Sequence, residues 1–292
     1  MAVTTTTPPE VIDSLNVDLT KEHGAIIQYL LHIAQTRDSV LRSSISLVAR
    51  EEMWHFEWLT EAIRDRGGVP THDRQEGIVN TDGLVRNLEA NVDAENDALA
   101  HYEKTLETIG DSDPALTTLI QRIMDDERYH RTSFTNMVER VGSAGEAAFH
   151  PQLEISPPDA GAAAPMIGLE YEGLLQYLMN KYASPDKDDA ETYFELATNE
   201  MRHLLWVATC FAGLPPAPPP PVPDGVVQVR DADAAHARAE EYENQAARTI
   251  SRVRDALAGE QISSELQRID YQHGYHRFQL EHMEEAAKTK SG

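Results

Sequence analysis

The stretch "EEMWHFEWL" at residues 51–59 returns as "NEMRHLLWV" at 199–207. A shift of 148 carries Glu52 to Glu200, His55 to His203 and Trp58 to Trp206. The same shift carries Glu22 to Glu170, Tyr29 to Tyr177 and Glu95 to Glu243. Near the end, a shift of 146 lays "QRIMDDERYHR" (121–131) on "QRIDYQHGYHR" (267–277). Motifs that match at a near-constant offset identify a tandem duplication, so the chain is expected to fold as two like units. Its 292 residues suit two domains of ordinary size.

Each half reads as helix. Ala, Leu, Glu and Arg abound, apolar residues fall at helical spacing, and alternating β-branched runs are few. Breakers divide the helices. "RGGVP" (66–70) ends one, and "IGDSDPAL" (109–116) turns the chain, with Ser112 or Asp113 as an N-cap before Pro114. "HPQLEISPPDAGAAAP" (150–165) reads as a linker, and "LPPAPPPPVPDG" (214–225) as a stiff spacer. The expected layout is a flexible N-terminus over 1–16, a first bundle over 17–142, a linker over 143–165 and a second bundle over 166–288.

The chemistry lies in the order of a few side chains. The first half offers Glu22, then Glu52 and His55, then Glu95, then Glu127 and His130. Residues three apart share a helix face, so each Glu-x-x-His points one way. A single such pair is most often a solvated Glu beside a surface His. Here all three Glu-x-x-His in the chain are at repeat-matched positions. So are all three Glu-x6-Tyr, begun by Glu22, Glu95 and Glu170. Four antiparallel helices can bring six such side chains into one bundle core, where four carboxylates balance two divalent cations. Tyr29 and Tyr102, two turns after Glu22 and Glu95, are placed to hydrogen-bond a ligand.

The second half keeps Glu170, Glu200, His203 and Glu243 but offers His273 and His276 on its fourth helix. A neutral imidazole has one lone pair and does not bridge two metals as a carboxylate does. Tyr102 becomes Ile250, so one second-layer hydroxyl is lost. Asp270 lends a carboxylate or lies on a solvated surface. Glu51, Asp125 and Asp126 stand about 100° per residue off the ligand face and read as solvated. Trp58 and Trp206 read as packing rather than electron relays. His23, His32, His101, His150, His236 and His282 lack matched partners and read as surface or satisfied core positions.

Composition narrows the function classes. A formal charge of −24 argues against nucleic acid and anionic membrane partners. One cysteine, Cys210, leaves no disulfide and no rubredoxin-type iron site. No run approaches the ~20 apolar residues of a membrane span. "MAVTTTTPPE" does not read as a signal peptide, so a cytoplasmic location is expected.

The ligand order resembles the ferritin-like superfamily, in particular the rubrerythrin and bacterioferritin type of di-iron bundle. The resemblance covers about the whole chain after residue 16, as two fused copies. It implies an all-α fold of two four-helix bundles forming an intrachain pseudo-dimer. It implies that Glu52 and Glu127 bridge two metals, that Glu22 and Glu95 are terminal ligands, and that His55 and His130 hold one metal each. The implied cofactor is two iron ions in the first half, with manganese as the alternative, and iron, manganese or zinc in the second. The implied function is an oxidoreductase that uses dioxygen or peroxide, with Glu52, Glu127, Tyr29 and Tyr102 as its catalytic residues. It would oxidise a small-molecule substrate or scavenge the oxidant, drawing on an external reductant, as a monomer or small homo-oligomer. The alternatives are an iron-oxidising, iron-sequestering protein and a metal-binding scaffold with a non-redox second site.

Overall fold

The computed structural model describes residues 7–36, 38–77, 83–149, 157–210, 231–257 and 260–291, with positions 222, 223, 226 and 229 between them. Among these residues there are helices and no strand. The helices are α1 (Pro9–Ile33), α2 (Ser39–Asp65), α3 (Leu84–Ile109) and α4 (Pro114–Ala144), then α5 (Pro157–Ala183), α6 (Lys187–Cys210), α7 (Ala232–Ala256) and α8 (Glu260–Ser291). A 3-10 turn over Glu146–Ala148 follows α4. None of them is long and apolar enough to cross a membrane.

The chain divides after residue 152 into two compact units, the first holding α1–α4 and the second α5–α8. In the first unit α1 packs on α2 and α3, and α4 packs on the same two. In the second, α5 packs on α6 and α7, and α8 packs on those two. Each unit is therefore a four-helix bundle with the same neighbours in the same order.

Direction in the first unit follows from contacts that run in opposite senses along paired helices. On α1 and α3, Asp18 meets Thr105, Glu22 meets Tyr102, Tyr29 meets Glu95 and His32 meets Asn91. On α2 and α4, Glu51 meets His130 and His55 meets Asp126. Both pairs are antiparallel. The chain between α2 and α3 must therefore cross the length of the bundle, the arrangement with one long crossover. It runs along α1, where Thr71 N–H bonds Asn16 Oδ1 at 2.8 Å and Gln75 N–H bonds Thr20 O at 2.9 Å.

Helix starts follow capping chemistry. Asp38, Asp113 and Asp231 accept from the backbone N–H groups of Leu41, Leu116 and Ala234. Of the two cap candidates before Pro114, the cap is Asp113. Such a cap is worth ~1 kcal/mol.

Two expected boundaries differ from the structure. Residues 1–16 read as flexible, yet α1 begins at Pro9. Proline suits the first helical turn, and Val11, Leu15 and Leu19, spaced one turn apart, lie in the core at 2%, 0% and 0% exposure. Burying one leucine there gains roughly 1.5–3 kcal/mol, enough to hold the extra turns. The linker over 143–165 is cut from both ends by the 3-10 turn and by α5, which contains Pro165. Buried Ala163 and Met166 anchor its first turns, and the alanine run favours helix. Most of the proline-rich stretch 214–225 lies outside the described residues.

Candidate metal centres

In the first unit, α1 supplies Glu22, α2 Glu52 and His55, α3 Glu95, and α4 Glu127 and His130. All six are 0–2% exposed. They form two groups whose donor atoms lie within 4.8 Å of one another: Glu22, Glu52, His55 and Glu127, and Glu52, Glu95, Glu127 and His130. Glu52 and Glu127 belong to both. The second unit repeats this with Glu170, Glu200, His203 and His273, and with Glu200, Glu243, His273 and His276. There Glu200 and His273 are shared, and all six are 0–1% exposed.

The inward atoms suit a cation. His130 Nδ1 lies 3.0 Å from Glu52 Oε1, and His55 Nδ1 lies 2.9 Å from Glu127 Oε1. Yet Glu52 Oε1, Glu127 Oε1 and His130 Nδ1 find no hydrogen-bond partner. Lone pairs that converge without hydrogen-bond geometry, deep in a core, call for a positive centre between them. The donor set of carboxylates and imidazoles fits first-row divalent metals.

Protonation tells the same story. Burial, and then the charges of Glu127 and Glu52, push the Glu22 and Glu95 carboxyls well above the usual range. Burial also opposes ionisation of Glu127, but close polar contacts with Glu95, His130 and His55 override it and hold this carboxyl below the usual range. Glu52, with burial and Glu127 against it, is held down by His130 and His55. Burial would lower His130, but Glu52 and Glu127 carry it up to about 11. His55 also rises well above its ordinary value despite burial, with Asp126 the largest raising influence. The packing of these carboxylates is thus penalised unless positive charge stands among them.

The tyrosines bond across the bundle. Tyr29 on α1 donates to Glu95 on α3 at 2.5 Å, and Tyr102 on α3 donates to Glu22 on α1. Among the described residues of the second unit, Tyr177 alone does so, to Glu243 at 2.5 Å, and Glu170 Oε1 has no hydrogen-bond partner there, where Ile250 replaces a tyrosine.

Two side chains read as solvated are part of the site. Glu51 Oε2 accepts from His130 Nε2 at 2.8 Å, and Asp126 Oδ2 lies 3.4 Å from His55 Nε2. Each imidazole turns Nδ1 inward and Nε2 toward the neighbouring helix, where the residue before that helix's glutamate stands. Rotation about one helix axis does not reveal this, because the contact is made across to the next helix. The signal was the acidic residue before both Glu-x-x-His of the first half, Glu51 and Asp126. Asp125 is exposed and pairs with Arg128, as expected. In the second unit, Asn199 and Gln272 replace Glu51 and Asp126. Gln272 Oε1 accepts from His203 Nε2 at 2.9 Å, while His276 Nε2 has no hydrogen-bond partner. Asp270 is a surface residue paired with Arg254. His23 and His32 are buried and hydrogen-bonded, to Asp73 O and Asn91 Oδ1.

Residues 12–143 match the family model of the ferritin-like domain. Bacterioferritin of Desulfovibrio desulfuricans is 26% identical over 159 residues, covering 53% of this chain and 88% of that protein. Bacterioferritin BfrA of Mycobacterium tuberculosis is 27% identical over 155 residues, covering 51% and 97%. A 3-demethoxyubiquinol 3-hydroxylase of Bordetella pertussis is 26% identical over 156 residues, covering 46% and 68%. Among solved structures, the Desulfovibrio desulfuricans bacterioferritin, described with its diiron site, overlays with a TM-score of 0.45 at 26% identity, covering 48% of this chain and 84% of that one. Residues 12–143, which hold the six side chains of the first site, match the ferritin-like domain model and are similar in sequence to the bacterioferritins.

Proposed function

We propose that the first unit holds a di-iron centre and that the protein is an oxidoreductase acting with dioxygen or peroxide. The observation that carries this reading is the pair of four-residue groups sharing Glu52 and Glu127. Those two carboxylates would lie between the ions, Glu22 and His55 would serve one, and Glu95 and His130 the other. Such a pair of irons supplies two electrons to the oxidant at one place.

The chain's own groups set the surroundings. Tyr29 and Tyr102 hold the terminal carboxylates by donating to them. Glu51 and Asp126 fix the imidazoles from outside, which raises their basicity toward metal. The space beside Glu22, Glu52, Glu95 and Glu127 is about 30 Å³, room for one or two waters. Dioxygen and peroxide fit it. With Cys210 as the only cysteine, reduction falls to an external donor or co-substrate.

A second reading, in which iron itself is the substrate oxidised, is favoured by the bacterioferritin relatives and by the smallness of that space. Anaerobic iron titration followed by oxygen tests both. Two irons lost together in Glu127→Ala support the centre, and retention of both contradicts it. Turnover of iron beyond the bound stoichiometry favours the second reading.

In the second unit the same ligand positions carry three carboxylates and three imidazoles. We infer that it binds metal less suited to oxidation, either divalent iron, manganese or zinc.

A further inference from the structure

The space beside the first centre is a passage. It opens between α1 and α3, ends on the four glutamates, and has Lys21, Gln75 and Asp97 at its mouth. Lys21 Nζ pairs with Asp97 and donates to Gln75 Oε1 at 3.2 Å. Gln75 is pinned, because its N–H bonds Thr20 O at 2.9 Å. Its carbonyl passes so close to α1 that a Cβ on Gly24 would lie 2.8 Å from it. The rim is therefore fixed at Gln75, with the Lys21 ammonium held at the mouth by Asp97 and Gln75. Ala25 and Ala94 form the half-buried walls further in.

The same route in the second unit is filled. The shift of 148 takes Lys21 to Leu169, Ala25 to Gly173, Ala94 to Tyr242 and Asp97 to Gln245. Tyr242 is fully buried, and its hydroxyl donates to Leu169 O at 3.4 Å. A Cβ on Gly173 would collide with that hydroxyl, so the glycine is what admits the ring. Both changes, small to large at 242 and large to small at 173, belong to one fitted piece. The charged rim is replaced at the same time by Leu169 and Gln245.

We propose that the α1–α3 passage is the route by which divalent metal ions reach the first centre, with Lys21 standing in its mouth as a tethered competing cation, and that Tyr242 stoppers this route in the second unit. The inference rests on the reading that both units bind metal. Incoming cations are drawn by the carboxylates of the passage and held back by the lysine ammonium. Charged clefts change association rates by about 10- to 1,000-fold, and one charge at the mouth falls at the lower end of that range. In the second unit the ion enters only when Tyr242 swings aside or the helices part, so exchange is slow.

The test is stopped-flow binding of Co2+ to the full chain, followed by the absorbance of bound cobalt, with cobalt per chain measured at the end. Wild type should load in a fast and a slow phase, and Glu127→Ala should remove the fast one. Tyr242→Ala should turn the slow phase fast. Ala25→Gly with Ala94→Tyr should slow the fast phase without lowering final cobalt, and Lys21→Gln should speed it by about tenfold. If Ala25→Gly with Ala94→Tyr fails to fold, Tyr242→Ala still decides the stopper. Full cobalt loading with phases unmoved by these substitutions overturns the inference alone. No cobalt bound at equilibrium overturns the metal reading and this inference with it.

Discussion

At the scale of single residues, the first site is defined as much by Glu51 and Asp126 as by its inner six side chains. They bond the outward nitrogens of His130 and His55. Losing such a partner typically costs about 10- to 100-fold in metal affinity. Glu51→Ala is expected to weaken zinc binding at the first site by that amount in a chelator competition, with Glu51→Gln intermediate. An unchanged affinity would return Glu51 to the role of a solvated charge. Protonation gives a second expectation. Burial and neighbouring carboxylates push Glu22 and Glu95 up, and the facing carboxylates push His55 and His130 up, so protons compete with metal for these atoms. Metal must displace those protons, so affinity rises with pH and weakens as pH falls. Calorimetry in buffers of different ionisation enthalpy should show protons released on zinc uptake, and Glu127→Ala should release fewer. Uptake without proton release would contradict the assigned charges.

At the scale of elements, the helix faces were legible because ligands three apart on one helix must point together. Glu52 with His55 and Glu127 with His130 needed nothing more. The partner of each tyrosine was not legible, because Tyr29 crosses to Glu95 rather than serving the glutamate on its own helix. Pairing between helices depends on their direction, and the crossover alongside α1 sets that. The start of α1 was misread because its threonine- and proline-rich lead hid the Val11, Leu15 and Leu19 stripe. The antiparallel α1–α3 face is tied at one end by Asp18, which accepts from Thr105 at 2.7 Å and from His101 at 2.6 Å. Asp18→Ala removes the buried acceptor shared by Thr105 and His101, leaving Thr105 only Ser14, and should cost ~1–3 kcal/mol. Asp113→Ala removes the α4 cap and should cost ~1 kcal/mol. Differential scanning calorimetry should show both as lower melting temperatures, with the larger fall for Asp18→Ala. The reverse order would mean that the polar face between α1 and α3 contributes less than one helix cap.

At the scale of the whole molecule, duplication has been followed by divergence at one centre. Two divalent ions would bring +4, and Glu22, Glu52, Glu95 and Glu127 bring −4, so a di-metal first site would be formally neutral before oxidation. With only Glu170, Glu200 and Glu243, a second site holding the same ions would start one positive charge in excess. The outer carboxylates are gone as well, replaced by Asn199 and Gln272. Oxidation would add charge to a buried centre already short of it, where an uncompensated charge costs several kcal/mol. The two units are therefore expected to do different work on one scaffold. The most direct test is Mössbauer spectroscopy of anaerobically iron-loaded protein before and after oxygen, for wild type, Glu127→Ala and His273→Glu. The account predicts a coupled diferric signal in wild type that Glu127→Ala abolishes, beside iron that stays ferrous, and a second diferric signal gained by His273→Glu. Equal oxidation of both sites in wild type at the same rate would contradict it.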